Sequence, residues 1–244
     1  MAAASPEIQH LIETSRLALL GRVLPSVLHQ MSTPLGAVAL RAESLAQADE
    51  SSAPVDAAKR QRYLKAILDE TRRCQELLAA LREFASAEES AEAPLDVVLV
   101  CGAALRLLEH EALRRQVTLQ LEGERVLIAK ANARLLEHAV IALVVSALDA
   151  GPRGGRVRIA VGREGGHFVV AVEAEGAALP ETVRERLSRP WPASVRPSEP
   201  EGDVSLTAVR AIAELHGGSL ATEAGATGTR LLLSLPARKE ADAG

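Results

Sequence analysis

Aromatic residues make up only 2% of this 244-residue chain: one Trp, one Tyr and two Phe. A surface built to stack on bases or sugars has almost no material here, and a formal net charge of -4 offers no basic footprint for a nucleic acid. Cysteine is as scarce. Cys74 and Cys101 lie in stretches that read as helical and show no paired spacing for zinc or a redox dithiol, so a reducing compartment suits them. No apolar run approaches the roughly 18 to 20 residues of a membrane span, and the N-terminus lacks the basic start and long apolar stretch of a secretory signal. These absences predict a soluble, cytoplasmic protein with no nucleic acid or membrane partner. What the chain has in plenty is aliphatic side chains: it is 48% hydrophobic, enough to bury a core in one large domain or two modest ones.

Residues 1–14 read as an N-terminal extension. Over 15–48 apolar residues recur at helical spacing through Leu20, Leu24, Val27, Met31, Leu35, Val38, Ala42 and Leu45. Ser51-Ser52-Ala53-Pro54 interrupts the pattern. A second one follows through Leu64, Ile67, Thr71, Cys74, Leu78 and Leu81, in alternating steps of three and four. Residues 15–87 are thus an antiparallel helical hairpin. Two helices cannot enclose both apolar seams, so the economical solution is a four-helix bundle built by two chains, a homodimer.

Residues 88–95, rich in Ala, Glu and Ser and carrying Pro94 near their end, read as a linker. From 96 to 237 the pattern alternates: helix 97–115, strands 117–121 and 126–129, helix 134–150, and a hairpin of strands 156–162 and 167–173 turned by Arg163-Glu164-Gly165-Gly166. A loose, proline-rich stretch covers 177–203. A last helix at 204–216 stops at Gly217-Gly218, and strands 219–223 and 229–235 precede a tail at 238–244. The fold class is α+β: the helical hairpin, then an α/β sandwich whose mixed sheet is covered by helices.

At about 100° per residue, Leu20, Leu24, Val27 and Met31 share one side of the first helix and His29 falls roughly opposite. His29 therefore meets solvent. A neutral imidazole is a competent nucleophile toward phosphorus at cytoplasmic pH, and an exposed one admits a bulky donor. His10, His110, His138 and His167 read as ordinary histidines, and His216 as structural.

His29, Gln30, Pro34 and Leu35, followed far downstream by His216-Gly217-Gly218, Gly225 and Gly228-Thr229, resemble in order and spacing the core of a sensor histidine kinase. The resemblance covers nearly the whole chain and implies a dimerising phosphotransfer hairpin joined to a GHKL-type ATP-binding domain. It makes His29 the phosphoacceptor. Autophosphorylating members carry an acid after the histidine; Gln30 cannot take a proton, though Gln30 and Thr33 could assist dephosphorylation of a partner or serve solubility alone. Leu40, on the His29 side with Thr33 and Ala37, reads either as a docking contact for a receiver or as a member of the bundle core.

The resemblance places a magnesium-holding asparagine where this chain has Ser146, in Ser146-Ala147-Leu148-Asp149-Ala150. It places an adenine-reading aspartate at Ala174, in Ala174-Glu175-Gly176, and a glycine-rich phosphate loop where Asp203 stands. Losing three such contacts would cost roughly 4 to 9 kcal/mol of nucleotide affinity. Only Glu175 could substitute, by a one-residue shift. The resulting expectation is a histidine phosphotransfer protein that needs no ATP or magnesium of its own. It would accept phosphate on His29 from the aspartate of a response-regulator receiver, which brings its own magnesium, and pass it to another receiver. Two alternatives stand beside it: an ATP-dependent sensor histidine kinase autophosphorylating on His29, and a non-catalytic interaction module.

Overall fold

The computed structural model describes residues 5–50, 56–86, 91–176, 204–225 and 228–237. Helices α1 (Pro6–Glu50) and α2 (Ala57–Ala85) form the hairpin. α1 starts ahead of the periodic stretch. The Ser5 hydroxyl accepts the amide of Ile8 at 3.4 Å, Pro6 takes the first helical position where its missing N–H costs nothing, and Glu7 favours the helix start. Pro25 and Pro34 lie inside α1, on either side of His29; each deletes one main-chain hydrogen bond, yet the helix continues through both.

The second half runs β1 (Ala93–Asp96), α3 (Val97–Arg114), β2 (Thr118–Gly123), β3 (Ile128–Ala131), α4 (Ala133–Ala150), β4 (Arg156–Glu164), β5 (His167–Ala174), α5 (Val204–Leu215), β6 (Ser219–Ala224) and β7 (Thr229–Pro236). Five strands form a sheet in the order β2-β4-β5-β7-β6, parallel only between β2 and β4. The end of the expected linker is instead strand β1, paired antiparallel with β3 in a separate ribbon from Ala93↔Ala131 to Asp96↔Ile128. Asp96 explains why. Its carboxylate accepts the amide of Val98, capping α3, and the amide of Leu127 beside β3, both at 3.0 Å.

Helices α3, α4 and α5 cover one face of the sheet, and α1 lies across all three. α4 is the centre of the molecule: every residue from Leu136 to Leu148 is buried, which is why its sequence is apolar on all sides. On α1 the row Leu19, Val23 and Val27 joins this core. The expected seam is therefore rotated. Val27 is buried, Leu20 and Met31 are half-buried, and Leu24 is exposed. His216 is structural, as its motif suggested: its Nδ1 lies 2.8 Å from the carbonyl of Ile212, and its Nε2 accepts the amide of Asn132 at 3.2 Å. The Asn132 side chain in turn caps α4 by accepting from Arg134 and Leu135. Gly217 turns the chain at φ 73°, and a Cβ at Gly218 would sit 2.1 Å from the Ser234 carbonyl, so this corner admits only glycine. No helix among the described residues is long and apolar enough to cross a membrane.

Candidate functional site

His29 stands exposed on α1, between the two prolines, and faces α3. Its ring lies 4.1 Å, centroid to centroid, from that of His110 on α3, with the two planes 32° apart. Burial first, then the charge of His29 and of Arg114, hold His110 below the ordinary histidine range, against an opposing pull from Glu111. A groove of about 820 Å³ opens around the pair, and the α1 residues His29, Gln30, Thr33 and Ala37 all line it. The Gln30 amide reaches the Arg106 carbonyl at 3.5 Å, a long contact. Leu40 does not line the groove; it is 66% exposed, one turn further on.

The positions matched to a nucleotide site gather elsewhere. α4 ends against the end of β5, where a Cβ at Gly151 would meet the Ala147 carbonyl at 3.1 Å and the Ala174 Cβ at 3.6 Å. This abutment sets the end of α4, the helix that carries Ser146 and Asp149, beside Ala174 at the end of β5. Ser146 and Ala174 are buried. Gly176 takes the left-handed conformation, φ 71°, against Pro152. Asp149 is held by two arginines: Arg22 of α1 donates to both carboxylate oxygens at 2.5 and 2.8 Å, and Arg115 approaches at 2.8 Å. Burial raises its proton affinity, but the hydrogen bonds and charges of Arg22 and Arg115 outweigh that and keep the carboxyl below the usual range. Its negative charge is thereby neutralised. Asp203 lies outside the described residues.

A third polar cluster fastens α1 to α4. Nε2 of His138 lies 2.9 Å from the Ser15 hydroxyl, and the Phe84 ring stands edge-on to it at 6.2 Å. Burial, and then Arg16, push His138 down to about 4. Beside it Glu137 is pushed up to about 7 by burial and then Glu83, with Arg106 and Arg134 opposing. His110 and His138, which read as ordinary surface histidines, are thus both at contacts between the two halves. Arg22 could have been found from sequence, because it stands one heptad before His29 and so shares its side of α1.

The donor set fits a magnesium nucleotide in kind. The matched positions carry the Ser146 hydroxyl and the Glu175 carboxylate, oxygen donors of the kind magnesium takes, together with the small residues Ala174 and Gly176. Residues 19–90 match the His Kinase A (phospho-acceptor) domain, and residues 131–239 match the histidine kinase-, DNA gyrase B-, and HSP90-like ATPase family. Among curated proteins, the C4-dicarboxylate transport sensor protein DctB of Rhizobium meliloti is 26% identical over 93% of this chain and 36% of its own length. The sensor-like histidine kinase SenX3 of Mycobacterium tuberculosis is 28% identical over 88% of this chain and 53% of its own. The chain thus spans about a third to a half of these relatives. Among solved structures, the nucleotide-free catalytic domain of histidine kinase ThkA superposes with a TM-score of 0.53 at 20% identity, over 61% of this chain and 99% of that one; at that identity it shows the fold alone.

These matches correct two expectations. The phosphotransfer protein that works without ATP, and the absence of ATP and magnesium as cofactors, are both overturned by the ATPase family match across 131–239. Three lost side-chain contacts are not decisive, because a nucleotide is also held by main-chain amides at helix ends and glycine turns and by small apolar walls. The chain joins a phospho-acceptor domain to a histidine-kinase-type ATPase domain and is a homologue of the sensor histidine kinases.

Proposed function

We propose that this chain is the catalytic core of an ATP-dependent sensor histidine kinase that phosphorylates His29 and hands the phosphoryl group to a receiver aspartate. The observation that carries the reading is the joining of both domains in one chain, with His29 exposed inside the first. Ser146 would hold the metal, and Glu175 the adenine amino group. Magnesium, when bound, neutralises charge on the transferred phosphoryl group. His29 attacks the terminal phosphorus through its lone pair, the bond to the bridging oxygen breaks, and the imidazole sheds its ring proton. Gln30 cannot take that proton, so it passes to water.

The working unit is a homodimer. Leu17, Leu24, Leu28 and Leu35 stand exposed on α1 at steps of seven and four, a heptad row that a second hairpin would bury. Thr33, Ala37 and Leu40 continue the His29 side and are the proposed receiver contacts. A labelling experiment with terminally labelled ATP and magnesium tests the proposal. Label should appear on the peptide containing His29 and vanish in His29→Ala while the dimer persists by light scattering. Label retained in that variant would sink the assignment.

A further inference from the structure

We propose that His110 parks the phosphoacceptor, holding the ring of His29 on α3 of its own ATPase domain and away from the nucleotide site until the stack is released. The inference rests on His29 being the phosphoacceptor. The groove around His29 is lined by residues of α1, α2, α3 and β2, and none of Ser146, Asp149, Ala174, Glu175 or Gly176 is among them. In this conformation, then, the acceptor and the nucleotide positions do not share a cavity. What His29 does meet is the ring of His110, tilted by 32° with the centroids 4.1 Å apart.

Stacking of this kind restrains rather than reacts. The lone pairs of an imidazole lie in the ring plane, so two rings stacked at 32° do not aim their nitrogens at each other, and the pair cannot pass a phosphoryl group across the stack. Two neutral rings attract through their faces, whereas two imidazolium rings repel. The surroundings favour neutrality. For His110, burial and the charges of His29 and Arg114 outweigh Glu111, while Arg73 and Glu70 on α2 and Arg106 and Glu109 on α3 also line the groove. Leaving the stack returns His110 to solvent, where it takes a proton more readily. Acid therefore favours release: parking is complete above the ordinary histidine range and weakens as pH falls through the lowered value. Arg22 on Asp149, one heptad before His29, supports the same docked position.

The test uses the whole chain without nucleotide and reads the imidazole resonances of His29 by NMR in wild type, His110→Ala and His110→Phe. At pH 7.5 the wild-type signal should lie upfield of the His110→Ala signal, from the ring current of the stack. The two should draw together as the pH is lowered, while His110→Phe, which stacks but does not titrate, stays upfield throughout. A second arm measures labelling of His29 from ATP, where His110→Ala should be faster than wild type by about 3- to 10-fold, the scale of freeing one restrained side chain. Coincident wild-type and His110→Ala signals at pH 7.5, or a His110→Phe signal at the unstacked position, would overturn the proposal. If the resonances behave as stated and no labelling occurs, the kinase reading fails and the stack loses its role as a parking contact; if labelling occurs without the resonance difference, the kinase reading stands and parking fails.

Discussion

The hairpin and α4, the central helix of the sheet domain, hide their apolar side chains to opposite degrees. α4 buries every residue from Leu136 to Leu148, whereas α1 leaves Leu17 at 61% and Leu28 at 56% exposed, and α2 leaves Leu64, Leu68 and Leu78 open. The sheet domain builds its core around α4, although it too leaves Leu99 and Leu113 open at its surface. The hairpin closes only the side that meets α3, α4 and α5, through Leu19, Val23 and Val27, and offers the rest to a second copy. In the proposed homodimer, association falls to the hairpin, which also carries His29, and most of the buried core to the sheet domain.

The sharpest way to break this contrast is to put charge on the open face. Leu24→Glu with Leu28→Glu should raise the dimer dissociation constant by at least about a hundredfold, since each buried leucine contributes roughly 1.5 to 3 kcal/mol. Sedimentation should then show monomers that keep their helical circular dichroism. Leu143→Ala should do the converse, lowering stability by about 2 to 5 kcal/mol in denaturant titration through a cavity beside the sheet while leaving association intact.

Acid probes the seam between the two regions. His138 is neutral in the folded chain down to about 4, and the unfolded chain takes up that proton near 6.5. Its contribution is present above 6.5 and fades as pH drops toward 4, about 2 kcal/mol between pH 7.5 and 5. Glu137, raised to about 7, runs the other way: its contribution is present below its unfolded value of 4.5 and fades as pH rises through about 7. His138→Phe should flatten the loss on the acid side, read as the difference between the two denaturation curves at each pH. The smallest effect belongs to the ion pair of Arg22 and Asp149, whose side chains are 40% and 43% exposed. Arg22→Ala should cost about 1 kcal/mol or less, measured in the same way and shrinking with added salt.

Much of this architecture is legible in the sequence because it obeys local periods. The steps of three and four through the hairpin, the alternation in β4 and β5, and Gly217-Gly218 after α5 each name an element unaided. What escaped depends on neighbours distant in the chain. β1 is a four-residue strand inside a segment of Ala, Glu and Pro, and only its pairing with β3 and the two bonds of Asp96 make it one. The rotation of α1 that buries Leu19 and Val23 comes from the ATPase domain lying against it, which a heptad pattern cannot encode. The same holds at the sites. His29 is visible because its surrounding motif is local, whereas His110 and His138 look ordinary until α3 and α4 set them against α1. At the matched nucleotide positions, Ser146 and Ala174 draw attention to missing side chains, while the glycine turn at Gly176 and the abutting ends of α4 and β5 are main-chain features that side-chain identity does not reveal.

Calorimetric titration of the whole chain with magnesium ATP tests the central claim most directly. The account predicts saturable binding somewhere between about 1 µM and 1 mM, the ordinary range for an enzyme substrate, weakened in Ser146→Ala. An absence of saturable heat across that range would contradict it.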